Sequence, residues 1–159
     1  MSATRTMGIA VTDVSTPQKL PLGFEYHDPA SSDDQGEKVW VYIQATGALA
    51  EGEIVMRAAS TVECKGLVTT GFMAAHRLLG VAQHTIAINS FGFILKRGIG
   101  EVAAFDTGND QDDNPLTCDA GGRADVMADG NEEGVFAHAT ESAAATAGAL
   151  FTCWINCPG

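Results

Sequence analysis

The sequence predicts one all-β domain, and three observations carry that prediction. Eighteen glycines and few long charged side chains favour tight turns between short strands over long amphipathic helices. Several apolar runs of strand length are rich in β-branched and aromatic residues. No segment combines helical length with a clean apolar stripe. With 159 residues and 45% hydrophobic content, the chain is long and apolar enough to build its own core.

Taken in order, residues 1 to 37 read as an extended segment and loop. Pro17, Pro21 and Pro29 punctuate it, and "DPASSDDQGEK" is rich in turn formers. Within it "MGIAV", Met7 to Val11, is apolar enough to dock, either on its own domain or on a neighbouring subunit. The clearest strand is "KVWVYIQAT", Lys38 to Thr46, whose unbroken apolar run implies cover on both faces. Gly52 turns the chain into a second strand, Glu53 to Ala58. In the next segment, Phe72 to Leu79 reads either as a short helix or, from its flanking glycines, as strand and turn.

"LLGVAQHTIAINSFGFILKRG" reads as two strands, Leu78 to Thr85 and Phe91 to Arg97, with Gly98 and Gly100 ending the second. A further short strand follows at Gly100 to Phe105. Asp106 to Leu116 is a long acidic loop, and Ala120 to Gly134 a second turn-rich section. "VFAHAT" and "ALFTCWINC" are the closing strands. Between them, Glu141 to Ala147 has helical alanine content but no apolar stripe, so helix and loop both stay open. No fixed-period repeat and no linker divides the chain.

Twenty acidic residues against nine basic ones give a net charge of −11. That repels a phosphate backbone, and Lys96-Arg97 is the only adjacent basic pair, too little for a nucleic-acid groove or an anionic membrane. No apolar run approaches the roughly 20 residues that span a bilayer, and no signal peptide is legible at the N-terminus. These features point to a protein kept in a cytoplasm, or leaving it within a larger particle.

The chemistry-bearing residues fall short of a site. His27, His76, His84 and His138 lack any H-x-x-x-H or H-E-x-x-H spacing. His84 and His138 lie in strand patterns and read as hydrogen-bonded surface or core residues. "DTGNDQDDN" superficially suggests a calcium loop through Asp106, Asp110, Asp112 and Asp113. Counted from Asp106, the sixth position is not glycine and the twelfth, Thr117, is not glutamate. No G-x-S-x-G elbow occurs, and "RGIGEV" lacks the third glycine of a dinucleotide fingerprint. Cys153 and Cys157 would stand about 13 Å apart on one strand face, too far for a disulfide. A metal there would need further ligands from Cys64, Cys118 or a histidine, and buried thiols are the simpler reading. The expectation is a protein with no catalytic residues, no metal and no cofactor.

The order "TPQKLPLGFEY", "EKVWVYIQATGALAEGEIV", "RLLGVAQHTIAINSFGFILKRGIGEV" and "GALFTCWINC" resembles the small head decoration, or cement, proteins of bacteriophages. The resemblance runs from about Pro17 to the C-terminus. It rests on glycine and hydrophobe positions rather than a chemical fingerprint. It implies a compact β-barrel or β-tulip-like domain over residues 21 to 159 with an extended N-terminal arm, Met1 to Leu20. It further implies a homotrimer bound to the major capsid protein on the outside of a virion head, assembled in the host cytoplasm. Nucleic acid and membrane are not among the expected partners. The residues expected at capsid or subunit contacts are Met7, Ile9 and Val11 in the arm, and Lys96 and Arg97 in the body. Cys153, Cys157 and the acidic loop depart from the family pattern. Two other readings compete: a virion-surface adhesin for host polysaccharide, motivated by the acidic loops and by Trp40, Tyr42 and Trp154, and a small metal-dependent enzyme using Cys153, Cys157 and a histidine.

Overall fold

A computed structural model describes residues 5–6, 8–29, 35–58, 64–105, 114–128, 130–141 and 146–159. It is all-β, as the sequence predicts, and contains a closed five-strand barrel. The strands are β1 (Arg5–Thr6), β2 (Ile9–Ala10), β3 (Glu25–Asp28), β4 (Lys38–Ala45), β5 (Ile54–Arg57) and β6 (Lys65–Val68). They continue as β7 (Leu78–Val81), β8 (Phe91–Ala103), β9 (Pro115–Asp119), β10 (Arg123–Val126), β11 (Ala137–Ala139) and β12 (Leu150–Asn156). Two single-turn 3-10 helices, Ala75–Arg77 and Glu132–Gly134, are the helical pieces among the described residues.

The barrel runs β8–β7–β5–β6–β4 and returns to β8. Its β4–β6 pair is parallel, while the closing pair, β4 with β8, is antiparallel from Val39–Arg97 to Gln44–Phe91. Alternation, with both faces covered, explains why β4 is apolar from Val39 to Ile43. Val41, Ile43 and Ala45 join one buried cluster with Val55, Leu79, Ile86 and Ile94. Trp40 and Tyr42 face the other way, into a larger cluster with Ile54, Met56, Phe93 and Leu95. Phe93 is the hub of that second core: its ring meets Tyr42 edge-on at 5.1 Å and Phe24 at 6.5 Å.

The far half of β8 belongs to a second array. Residues Arg97 to Ala103 pair with β12, which leads through β11 and β9 to β10. β10 then returns to the chain just past β8, through a parallel bridge between Ala104 and Ala124. One long strand is therefore a wall of both arrays, and the larger core fills the space between them with Val102, Leu116, Phe136, Phe151 and Ile155.

Here the structure differs from the strand boundaries read in the sequence. β8 does not stop at Gly98; it runs through Gly98 and Gly100 to Ala103. Gly100 is a place of close approach rather than a turn, because a Cβ there would lie 2.4 Å from Leu95 Cδ2 and 2.8 Å from Gln83 Oε1. β7 ends at Val81 instead of Thr85. Beyond it the Gln83 side chain takes over the pairing, donating to the Glu101 carbonyl (2.8 Å) and accepting from the Glu101 N–H (2.9 Å). Between Phe72 and Leu79 both open readings are partly realised, as a 3-10 turn followed by strand. β9 starts inside the stretch read as acidic loop, with Pro115 at its first position, where a missing N–H is tolerated.

Residues 8–20 lie on their own domain. Ile9, Val11 and Leu20 are buried in the larger core. Ser15 bridges to Phe91 at the start of β8, and the Lys19 N–H donates to Tyr42 Oη at 3.1 Å.

Candidate functional site

Lys96 and Arg97 sit where β8 passes from its pairing with β4 to its pairing with β12. Arg97 is opposite Val39 on one side and Asn156 on the other. In a regular strand two adjacent side chains point to opposite faces. Here the β4–β8 register slips between Val39 and Trp40, so that Trp40 faces Leu95 while Val39 faces Arg97. A bulge of this kind re-aims side chains. Gly98 completes it with φ +119°, and a Cβ at Gly98 would lie 2.8 Å from the Glu37 carbonyl oxygen.

Both cations consequently meet carboxylates from the β3–β4 side. Lys96 Nζ pairs with Glu25 Oε1 at 2.6 Å, and Arg97 Nη2 with Glu37 Oε2 at 3.6 Å. His27 lies between the two acids, its Nδ1 3.1 Å from Glu37 and its Nε2 4.0 Å from Glu25. Together with Val39, Asn156, Cys157 and Pro158, these side chains other than Glu37 line an open groove of about 250 Å³. The Cys157 thiol at its floor is fully buried, and that burial pushes it up to about 12, so it is held protonated. The groove thus offers exchangeable ion pairs and no thiolate. Partly exposed pairs of this type are worth about 0 to 1 kcal/mol each, so a charged partner surface can displace them at small cost.

Of the five contact residues expected from the sequence, the structure brings only Lys96 and Arg97 into one site. Ile9 and Val11 are core residues of this chain, and Met7 lies outside the described residues, as do Asp106, Asp110, Asp112 and Asp113. Glu25, His27 and Glu37 become partners of the basic pair only through the fold. Glu25 and Lys96 are 71 positions apart, a separation no local spacing reveals.

The remaining chemistry-bearing residues scatter. His84 does not lie in a strand; it occupies the bend after β7. Both its ring nitrogens are buried without a hydrogen-bond partner, and desolvation lowers its pKa below 6.5. His138 is exposed on β11 opposite Trp154, and Trp154 is 44% exposed, whereas Trp40 and Tyr42 are buried. Cys118, Cys153 and Cys157 are buried thiols, and no cysteine is in a disulfide. Among the described residues no three His, Cys, Asp or Glu side chains converge as metal ligands.

The fold has a solved relative in shape. The chain is similar to the N base of the head fiber gp8.5 of bacteriophage phi29, with a TM-score of 0.56 over 75% of this chain and 94% of that one. Sequence identity between the two is 16%, so the likeness is one of fold. That neighbour is a phage head protein. No protein-family model matches the sequence, and comparison with curated proteins gives no match.

Proposed function

We propose that this chain is a structural protein of a phage virion, without enzymatic activity, that decorates the outside of the head. It binds there as a trimer across neighbouring major capsid subunits and strengthens their contacts. The observation that carries the reading is the fold shared with a phage head fiber base across nearly all of that base. The net charge of −11 suits the outside of a shell better than a DNA-lined interior. A groove of exchangeable ion pairs around Lys96 and Arg97 suits docking on a protein surface, and several weak contacts per trimer add up through avidity.

The decisive experiment compares filled heads assembled with and without the chain. Cryo-electron microscopy is expected to place it on the outer surface at threefold positions, and heads carrying it are expected to resist heat and osmotic shock better. Equal resistance of the two preparations sinks the stabilising role. A second reading, an adhesin for host polysaccharide, is favoured by one observation: the exposed Trp154, flanked in register by His138 and Ile99, offers a ring for sugar stacking. A flat glycan array together with unchanged host-cell binding after Trp154→Ala removes it.

A further inference from the structure

The bend after β7 is fastened at its two ends and free in its middle. The Ala82 N–H donates to the Glu53 carbonyl at 2.9 Å, and the Gly52 N–H to the Ala82 carbonyl at 2.7 Å. Beyond the bend, Ile86 exchanges two backbone bonds of 2.9 Å with Leu49. Among the described residues, no backbone hydrogen bond holds Gln83, His84 or Thr85. The bonds that tie this middle to the barrel come from one side chain, the Gln83 amide, which serves both the N–H and the carbonyl of Glu101. Glu101 lies across from Thr152, but the Thr152 N–H is taken by Glu141 and its carbonyl by Thr140. The Glu101 backbone therefore depends on Gln83.

His84 stands at the centre of the same bend, with both ring nitrogens buried and unpartnered among the described residues. As a neutral imidazole it leaves one donor and one acceptor unmet. On taking up a proton it becomes a cation with two unmet donors, and burying an unpaired charge is far costlier. The ring reaches water by carrying the bend outward, and residues 83 to 85 have no backbone bond to break in doing so. The ionisable groups on the elements bonded to the bend are Glu51 and Glu53 before β5 and Glu101 on β8. Glu51 and Glu101 are exposed, and Glu53 Oε2 accepts the Ala50 N–H at 2.8 Å. Burial is what lowers the His84 pKa.

We propose that Gln83 and His84 form an acid-released clasp: proton uptake by His84 swings residues 83 to 85 outward and frees the β8 edge at Glu101. The opening is local, because the anchors at Ala82 and Ile86 lie outside the moving residues and both cores keep their strand pairing. It leaves the Glu101 N–H and carbonyl as an uncovered stretch of strand edge, while the other side of β8 stays paired to β12. An imidazole freed to water titrates at about 6.5, so between pH 8 and pH 5 the open form gains up to about thirtyfold over the closed one.

The test is amide hydrogen exchange on the full chain from pH 8 to pH 5, each rate taken relative to that of the unfolded chain at the same pH. Protection of the Glu101 N–H is expected to fall with pH by up to about thirtyfold. Urea well below the unfolding midpoint should leave Glu101 exchange unchanged, since a local opening exposes little surface. The same urea should speed exchange of the Tyr42 N–H, whose bond to the Phe24 carbonyl breaks only with the larger core. His84→Leu should abolish the acid dependence at Glu101, and Gln83→Ala should remove its protection already at pH 8, with circular dichroism unchanged in both. Glu101 protection that ignores pH, or that still falls with acid in His84→Leu, overturns the role of His84. A Glu101 N–H that matches Tyr42 in protection and urea response overturns the local opening, and one that stays protected in Gln83→Ala overturns the clasp.

Discussion

Replacing Ile9 or Leu20 by alanine tests whether the N-terminal segment belongs to this domain or to a neighbour. Both side chains are more than nine-tenths buried, at 8% and 7% exposure, in the larger core. Truncating a buried isoleucine or leucine to alanine costs about 2 to 5 kcal/mol. The lower end applies here, because the segment lies at the margin of the core and can settle into the space left. About 2 kcal/mol is a sizeable share of the roughly 5 to 15 kcal/mol that holds a domain folded. With a urea dependence of about 2 kcal/mol per molar, each substitution should lower the unfolding midpoint by about 1 M. The assay is urea unfolding followed by tryptophan fluorescence at two protein concentrations tenfold apart. A midpoint that does not move, or a shift that depends on protein concentration, would refute the intramolecular docking. In that case the burial of Ile9 and Leu20 would come from a partner subunit.

Three further outcomes follow from individual residues. His84 is buried and its pKa lies below 6.5, so the unfolded chain takes up the proton first as pH falls. Its contribution is therefore fully present above pH 6.5 and is lost progressively below it. Urea midpoints measured from pH 8 to pH 5 should show this decline, and His84→Leu should flatten it. Gly98→Ala places a side chain at φ +119° against the Glu37 carbonyl, and should cost about 2 kcal/mol or more in chemical unfolding while loosening the Arg97–Glu37 pair. A neutral thiol reagent on the native protein should titrate Cys64 quickly and Cys118, Cys153 and Cys157 only at the rate of unfolding, since those three are buried. Rapid modification of all four thiols contradicts the core assignment.

The parts of the fold that were legible are those in which a strand's own residues suffice to mark it. β4, β5 and β12 have apolar runs or alternations long enough to be read without knowing their partners. The strands β3, β6, β9 and β10 have four or five residues each and mixed burial, and only pairing with a neighbour defines them. The two glycines in β8 misled for a related reason. In sequence a glycine signals a turn, while here Gly98 serves a bulge and Gly100 a close contact with Leu95. The basic pair drew notice by its own chemistry. Its carboxylates did not, because Glu25 and Glu37 reach it only after β3, β4 and β8 have come side by side. His84 was placed in a strand by the apolar residues around it, and nothing in the sequence indicated that Gln83 would break the ladder there.

The single strand common to both arrays also ties down the two terminal segments of the chain. Ser15, near one terminus, is bonded to Phe91 at the first residue of β8, and β12, near the other, is paired along β8 from Arg97 to Ala103. Both terminal segments are therefore anchored on one strand, by an isolated bridge at its first residue and by seven residue pairs along its far half. A change that loosens β8 releases both at once.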